Sequence, residues 1–285
     1  MSDCTANVAS QDYADFIYRH SSATLDELAD TLGTSCISYV NESYVIYHIP
    51  LRDALPLAIP NHSYESIPAL FGLMDTTSME ASGIISTFRQ PALGSNGEGV
   101  IVGLIDTGID YQNPLFRNPD GTTRILGMWD QTAEDGGFEL PGNRPFLFPF
   151  LYGKEYTDRD IDDALKSDAP LSMVPSTDTN GHGTFLAGIA AGRFEASMNF
   201  VGAAPACSLG IVKLKPAKEY LRQYYMIPDG VDAYQSNDIM MGITYLMLLA
   251  RRHRMPLVIC LGLGTNHGGH SGASPVGEVL NSLRS

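Results

Sequence analysis

The sequence predicts a small α+β unit followed by an α/β domain built on a parallel sheet. Three observations predict it. Residues 100–105, 209–214 and 257–261 are apolar runs, interrupted only by Lys213, and rich in β-branched residues, as expected of strands covered on both faces. A helical pattern fills the space between the last two runs, and a strand–helix–strand order implies a parallel pair with a right-handed crossover. The texture also changes near Gly99, after a Gly94-Ser95-Asn96-Gly97 stretch that reads as a linker. The expected division is 1–92 for the first unit and 93–285 for the second.

In the first unit, residues 13–18 form a short strand candidate. Leu25, Leu28, Ala29 and Leu32 recur at helical spacing, and Thr24 stands three before Glu27, a capping-box pattern. Residues 36–40 and 44–49 flank Asn41-Glu42-Ser43 and read as a β-hairpin. Pro56, Pro60 and Pro68 then break up the chain after the hairpin.

In the second unit, the helix before the last strand takes Ser236 or Asn237 as its cap. Ile239, Met240, Ile243, Leu246, Met247 and Ala250 lie along one side. Arg251, Arg252 and His253 suit the negative pole of its dipole, and Pro256 stops it. Residues 138–179 read as an inserted surface loop carrying Asp158, Asp160, Asp162, Asp163 and Asp168.

Composition narrows the function classes. The 285 residues carry 18 Lys and Arg against 32 Asp and Glu, a net charge of −14. That charge repels phosphate backbones, so nucleic acid is excluded as a partner. Cys4, Cys36, Cys207 and Cys260 form no CxxC pair, which indicates neither a zinc site nor a dense disulfide framework; Cys260, inside an apolar run, reads as a buried free thiol. The N-terminus lacks the basic start and apolar core of a signal peptide, and no run is long enough to span a bilayer. The expected location is cytoplasmic, with a spore compartment as a further possibility and no membrane partner.

Two motifs carry chemistry. The strand at 100–105 delivers Asp106 to its carboxyl end, where Thr107-Gly108 permit a tight turn. In open parallel sheets, functional groups gather at that end. An isolated Asp there more often only ends the strand. The second motif, Asn180-Gly181-His182-Gly183-Thr184, opens a helix rich in Gly and Ala. Small residues let such a helix approach the sheet closely and fix the imidazole, which general-base catalysis requires. Asp106 and His182 together point to catalysis.

These two motifs resemble the Asp and His boxes of the subtilase family, in the family's order of Asp, His, then Ser. Asn113-Pro114 stands where members usually show His-Pro. Gly262-Leu263-Gly264 resembles the substrate-binding strand, usually Ser-Leu-Gly, with Gly262 in place of the Ser. The resemblance runs from about Gly99 to the end, and the first ninety or so residues resemble a subtilase propeptide more weakly. Residues 64–83, Arg124-Ile125 and Trp129-Asp130-Gln131-Thr132 are most like clostridial-type subtilases, including spore germination proteases.

The resemblance implies a subtilisin-like three-layer parallel sheet, present in part, and a serine-type endopeptidase acting on protein or peptide substrates. Asp106 and His182 would be catalytic, and Gly262, Leu263 and Gly264 would bind substrate. The N-terminal unit would act on its own protease domain as inhibitor or folding chaperone, and its cleavage is expected between Gln90 and Gly97. The family's serine box, a Gly-Thr-Ser-Met-type run before a helix, has no match in this sequence. Ser271 and Ser274 come too early to be the nucleophile, and the oxyanion Asn is also missing. The chain is therefore expected to be a fragment, inactive alone.

Other readings fare worse. Subtilases often bind calcium through oxygen ligands, but the acidic loop has no EF-hand spacing and reads as solvated, so no cofactor is expected, with calcium left open and unassigned. His267 and His270, with His253, do not match a helical zinc motif. Asp106-Thr107-Gly108 is also the aspartic-protease tripeptide, but no second copy exists. The main alternative is a non-catalytic pseudoprotease or peptide-binding regulatory fragment, for example in spore germination.

Overall fold

The computed structural model describes residues 4–21, 23–58, 61–73, 96–134, 136–139, 149–194, 200–266 and 271–283. The N-terminal part contains α1 (Cys4–Ala9), β1 (Tyr13–Arg19), α2 (Leu25–Leu32), β2 (Ile37–Asn41), β3 (Tyr44–Pro50), α3 (Leu51–Ala54) and β4 (Leu70–Leu73). Next in the chain are β5 (Ile101–Asp106), β6 (Ile125–Asp130), β7 (Lys154–Thr157), α4 (Asp158–Lys166), α5 (Pro170–Met173) and α6 (His182–Ala191). The remainder is β8 (Ser208–Lys213), α7 (Glu219–Tyr224), β9 (Tyr234–Gln235), α8 (Ser236–His253), β10 (Leu257–Leu261), β11 (Leu263–Gly264) and α9 (Pro275–Ser282).

Local chemistry explains the N-terminal elements. Thr24 and Glu27 form the expected capping box on α2. Asn41 Oδ1 accepts the backbone N–H groups of Ser43 and Tyr44, each at 2.9 Å, and so turns the β2–β3 hairpin. The strands pair antiparallel in the order β1-β3-β2. A disulfide joins Cys4 to Cys36 and ties α1 to the start of β2. The cysteine spacing gave no sign of this pair. A bonded pair is a feature of oxidising compartments, which pulls against the cytoplasmic expectation.

The main sheet has the order β10-β5-β8-β6-β7, parallel except for β7, which runs antiparallel to β6. Every residue of β5 is buried. Its Val102 and Leu104 face α6 with Ala187 and Ala191, while Ile105 faces α8 with Ile243 and Leu246. The three apolar runs are all strands of this sheet, as expected. Among the described residues, no helix is long and apolar enough to cross a membrane.

α8 is buried around most of its surface, because it lies between the main sheet and the N-terminal sheet. Its cap differs from expectation: Gln235 precedes it, with no side-chain cap bond. Ser236 Oγ instead accepts the N–H of Ala69 at 3.0 Å, and the Asn237 side chain accepts from Gln235 Nε2 at 3.0 Å.

Two expectations are corrected. The described residues of the segment 138–179 do not form a surface loop. Its β7 extends the main sheet, and Phe150, Tyr152, Tyr156, Ile161 and Val174 are buried. Asp160 completes a capping box with Thr157 at the start of α4. Cys260 is a free thiol but only partly buried, because β10 is the edge strand of the sheet.

A third, small sheet joins the two parts of the chain. β4 lies antiparallel between β11 and β9. Leu73 pairs with Leu263 and Gly72 with Gly264 on one side; Phe71 pairs with Tyr234 and Leu70 with Gln235 on the other.

Candidate active site

Asp106 ends β5 and His182 begins α6, so the sheet and the helix each contribute one half of the site. His182 Nδ1 and Asp106 Oδ1 lie 2.8 Å apart. Asp106 is 2% exposed and the imidazole 14%. The same Oδ1 accepts the backbone N–H of Thr107 at 2.7 Å. Oδ2 has no hydrogen-bond partner among the described residues. Burial pushes the Asp106 carboxyl above its ordinary range, against the opposing pull of His182 and the Thr107 N–H.

The glycine after the histidine permits this closeness. A Cβ at position 183 would meet Gly108 O at 2.2 Å and Asp106 Cβ at 3.2 Å. Only a residue without a side chain lets the first turn of α6 rest on the 106–108 turn.

Sequence reasoning missed the residues that hold this junction. Asp178 Oδ1 accepts from Thr107 Oγ1 at 2.8 Å and from the N–H of Gly181 at 2.9 Å. Its Oδ2 accepts from the N–H and hydroxyl of Thr184 at 2.8 and 2.6 Å. Thr107 Oγ1 in turn accepts the N–H of Gly183 at 2.9 Å. Burial pushes Asp178 up, but these hydrogen bonds together hold its carboxyl below the usual range. The signal was present in Asp178-Thr179-Asn180-Gly181, where an Asp three residues before a Gly can tie a loop to itself.

Of the predicted substrate-binding residues, Gly262 lies against the Asp–His pair. A Cβ there would meet Leu186 Cδ1 at 2.0 Å, Asp106 Oδ2 at 3.0 Å and His182 Cε1 at 3.2 Å. Leu263 and Gly264 are the strand paired to β4. The register makes Leu73 the end of β4 nearest the pair. Ser274 caps α9 by accepting the N–H of Gly277 at 3.2 Å, and Ser271 is exposed before it. Asn113, in place of the family's usual His, caps the turn Pro114–Phe116 by accepting from Leu115 N. Among the described residues no group of three or more His, Cys, Asp or Glu could hold a metal. His267 and His270 lie outside the described residues, as does most of the stretch from Gln90 to Gly97.

An imidazole oriented through Nδ1 by a buried carboxylate has the arrangement needed to take a proton at Nε2.

Comparison with known proteins gives the family. The pattern of the Subtilase family, peptidase family S8, matches residues 97–280. The major intracellular serine protease of Bacillus subtilis (strain 168) is 29% identical over 161 residues, covering 56% of this chain and 38% of that protein. Subtilisin-like protease SBT3.6 of Arabidopsis thaliana is 26% identical over 159 residues, covering 53% of this chain and 19% of that protein. The solved structure of the Clostridium perfringens CspB protease superposes with a TM-score of 0.54 at 30% identity, covering 73% of this chain and 38% of that one. The chain thus spans well under half the length of these relatives. The match over residues 97–280, more than half of the chain, means that the chain belongs to the subtilase family.

Proposed function

We propose that this chain carries the acid–base half of a serine-type endopeptidase and the strand against which its peptide substrate lies. The observation that carries this reading is the 2.8 Å contact between Asp106 and His182 at the carboxyl edge of a parallel sheet. In this reading His182 takes the proton of a serine hydroxyl as it attacks the peptide carbonyl, and later returns it to the leaving amine. Asp106 fixes the imidazole tautomer and balances the imidazolium charge. The family's serine box and its oxyanion Asn both have no match in this sequence, so in this reading the chain alone is inactive.

An extended substrate lies between β11 and β9 and adds a strand there, bound through its backbone. β4 now occupies that position, which supports the N-terminal unit as an intramolecular occupant and inhibitor of the cleft. That same occupancy favours a second reading, in which the fold holds peptides without cutting them.

The test is a polypeptide that continues beyond Ser285 into a serine box. The protease reading expects labelling by a serine-directed phosphonate. It also expects a loss in turnover on the order of 10⁴ for Asp106→Asn, and abolished labelling for His182→Ala. Peptide binding with no labelling would favour the second reading.

A further inference from the structure

A second Asp–His pair lies away from the cleft, where the N-terminal sheet docks on the rest of the molecule. Asp15 of β1 and His48 of β3 are directly opposite in the sheet register. His48 Nδ1 lies 2.8 Å from Asp15 Oδ1, and His48 Nε2 lies 2.9 Å from Ser38 Oγ of β2. The facing surface supplies a cation: Lys218 Nζ donates to Asp15 Oδ1 at 2.8 Å and to Tyr13 O at 3.0 Å. Gln235 Nε2 of β9 donates to Asp15 Oδ2 at 3.0 Å. The hydroxyl of Tyr220 on α7 accepts the Asp15 N–H at 2.9 Å. Beside them Lys215 Nζ donates to Asp238 Oδ2 of α8 at 2.7 Å, and Tyr152 donates to the other Asp238 oxygen at 2.9 Å. Asp15 and Lys218 are 1% exposed and His48 is 2% exposed.

The charges in this cluster decide how it responds to acid. Asp15 and Asp238 carry two negative charges; Lys215 and Lys218 carry two positive ones. With His48 neutral the cluster balances. A proton on His48 adds an uncompensated charge to a dry site, because Lys218 already neutralises Asp15. We propose that His48 is an acid-sensitive latch at this junction, whose protonation releases the N-terminal sheet from Lys218 and Gln235. The release would also loosen β9, one wall of the β4 position, so this inference deepens the reading of the N-terminal unit as occupant of the cleft.

The sign comes from linkage. Burial pushes the His48 imidazole below its ordinary range, with Asp15 opposing and Lys218 and Lys215 reinforcing the shift. The undocked form therefore binds more protons than the docked form once the pH falls below the free value of about 6.5. Docking is at full strength above that pH and weakens below it. Asp15 lies on the other side of the window: burial pushes it up, but Lys218 and His48 hold it far below the usual carboxylate range. It stays charged throughout.

The experiment is hydrogen–deuterium exchange of the whole chain from pH 7.5 to 5.0, corrected for intrinsic exchange, read at 13–19 and 234–244. In the wild type the opening constant should be flat above neutrality and rise by up to about tenfold per pH unit below 6.5. His48→Gln keeps an amide donor toward Asp15 but cannot titrate, and its curve should be flat over the same range. His182→Ala should follow the wild type, which separates the latch from any failure of the protease reading. A wild-type curve that stays flat to pH 5.0, or a His48→Gln curve that tracks the wild type, overturns the proposal. Should His48→Gln not fold, the His48 ring resonance in the wild type decides: titration at the ordinary value in the docked chain contradicts the latch.

Discussion

Asp106–His182 and Asp15–His48 share one contact, 2.8 Å from carboxylate oxygen to Nδ1, and little else. The second pair even has a serine hydroxyl 2.9 Å from Nε2, so its three side chains line up as a triad would. Yet it is shut in, with an imidazole 2% exposed, and Lys218 neutralises its carboxylate. The first pair has an imidazole 14% exposed beside Gly262, next to β11, and no lysine on its carboxylate among the described residues. The difference teaches that an Asp–His contact does not define a site. Access and the state of the carboxylate's charge do. A carboxylate already matched by Lys218 has less to offer an imidazolium, whereas the charge of Asp106 is answered chiefly by His182.

This contrast can be broken by substitution, and the largest effect should come from the closed pair. Asp15→Asn leaves Lys218 buried without its anion, so unfolding in urea should show a loss of about 3–5 kcal/mol. A loss below about 1 kcal/mol would mean that solvent reaches Lys218 and that the two pairs differ less than the geometry says.

Gly183→Ala should cost less, about 1–3 kcal/mol, because the new methyl forces α6 off the 106–108 turn. It should also weaken the His182 Nδ1–H resonance while leaving that of His48 intact. If both resonances survive unchanged, the close approach of helix and turn is not what sets the Asp106–His182 distance. The smallest change is Thr157→Ala, which removes the cap of α4 and should lower stability by about 1 kcal/mol without moving either histidine signal. This remote loss calibrates the other two, since it separates general destabilisation from effects on the pairs.

The two regions also differ in how far the sequence revealed them. Asp106 was legible because an apolar run of strand length ends on it. His182 was legible because glycines bracket it where a small-residue helix starts. Both signals are local, and the sheet brings them together by a rule that concerns only strand ends. Asp15 sits in Tyr13–Arg19, where four successive buried positions hide which face matters, and its partner Lys218 is 203 positions away. No local pattern reports such a meeting. The same limit explains the Cys4–Cys36 disulfide and the placing of β4. It also explains residues 138–179, where scattered acidic residues on α4 masked the apolar set of Phe150, Tyr152 and Tyr156 beneath.

The central claim is that His182 is held in one tautomer by Asp106, ready to act through its other nitrogen. Proton NMR of the histidine-labelled chain at neutral pH tests it most directly. The account predicts a strongly downfield Nδ1–H resonance from His182 that disappears in Asp106→Asn while the signal from His48 remains. A His182 ring protonated at Nε2 instead, or a resonance unmoved by Asp106→Asn, would contradict it.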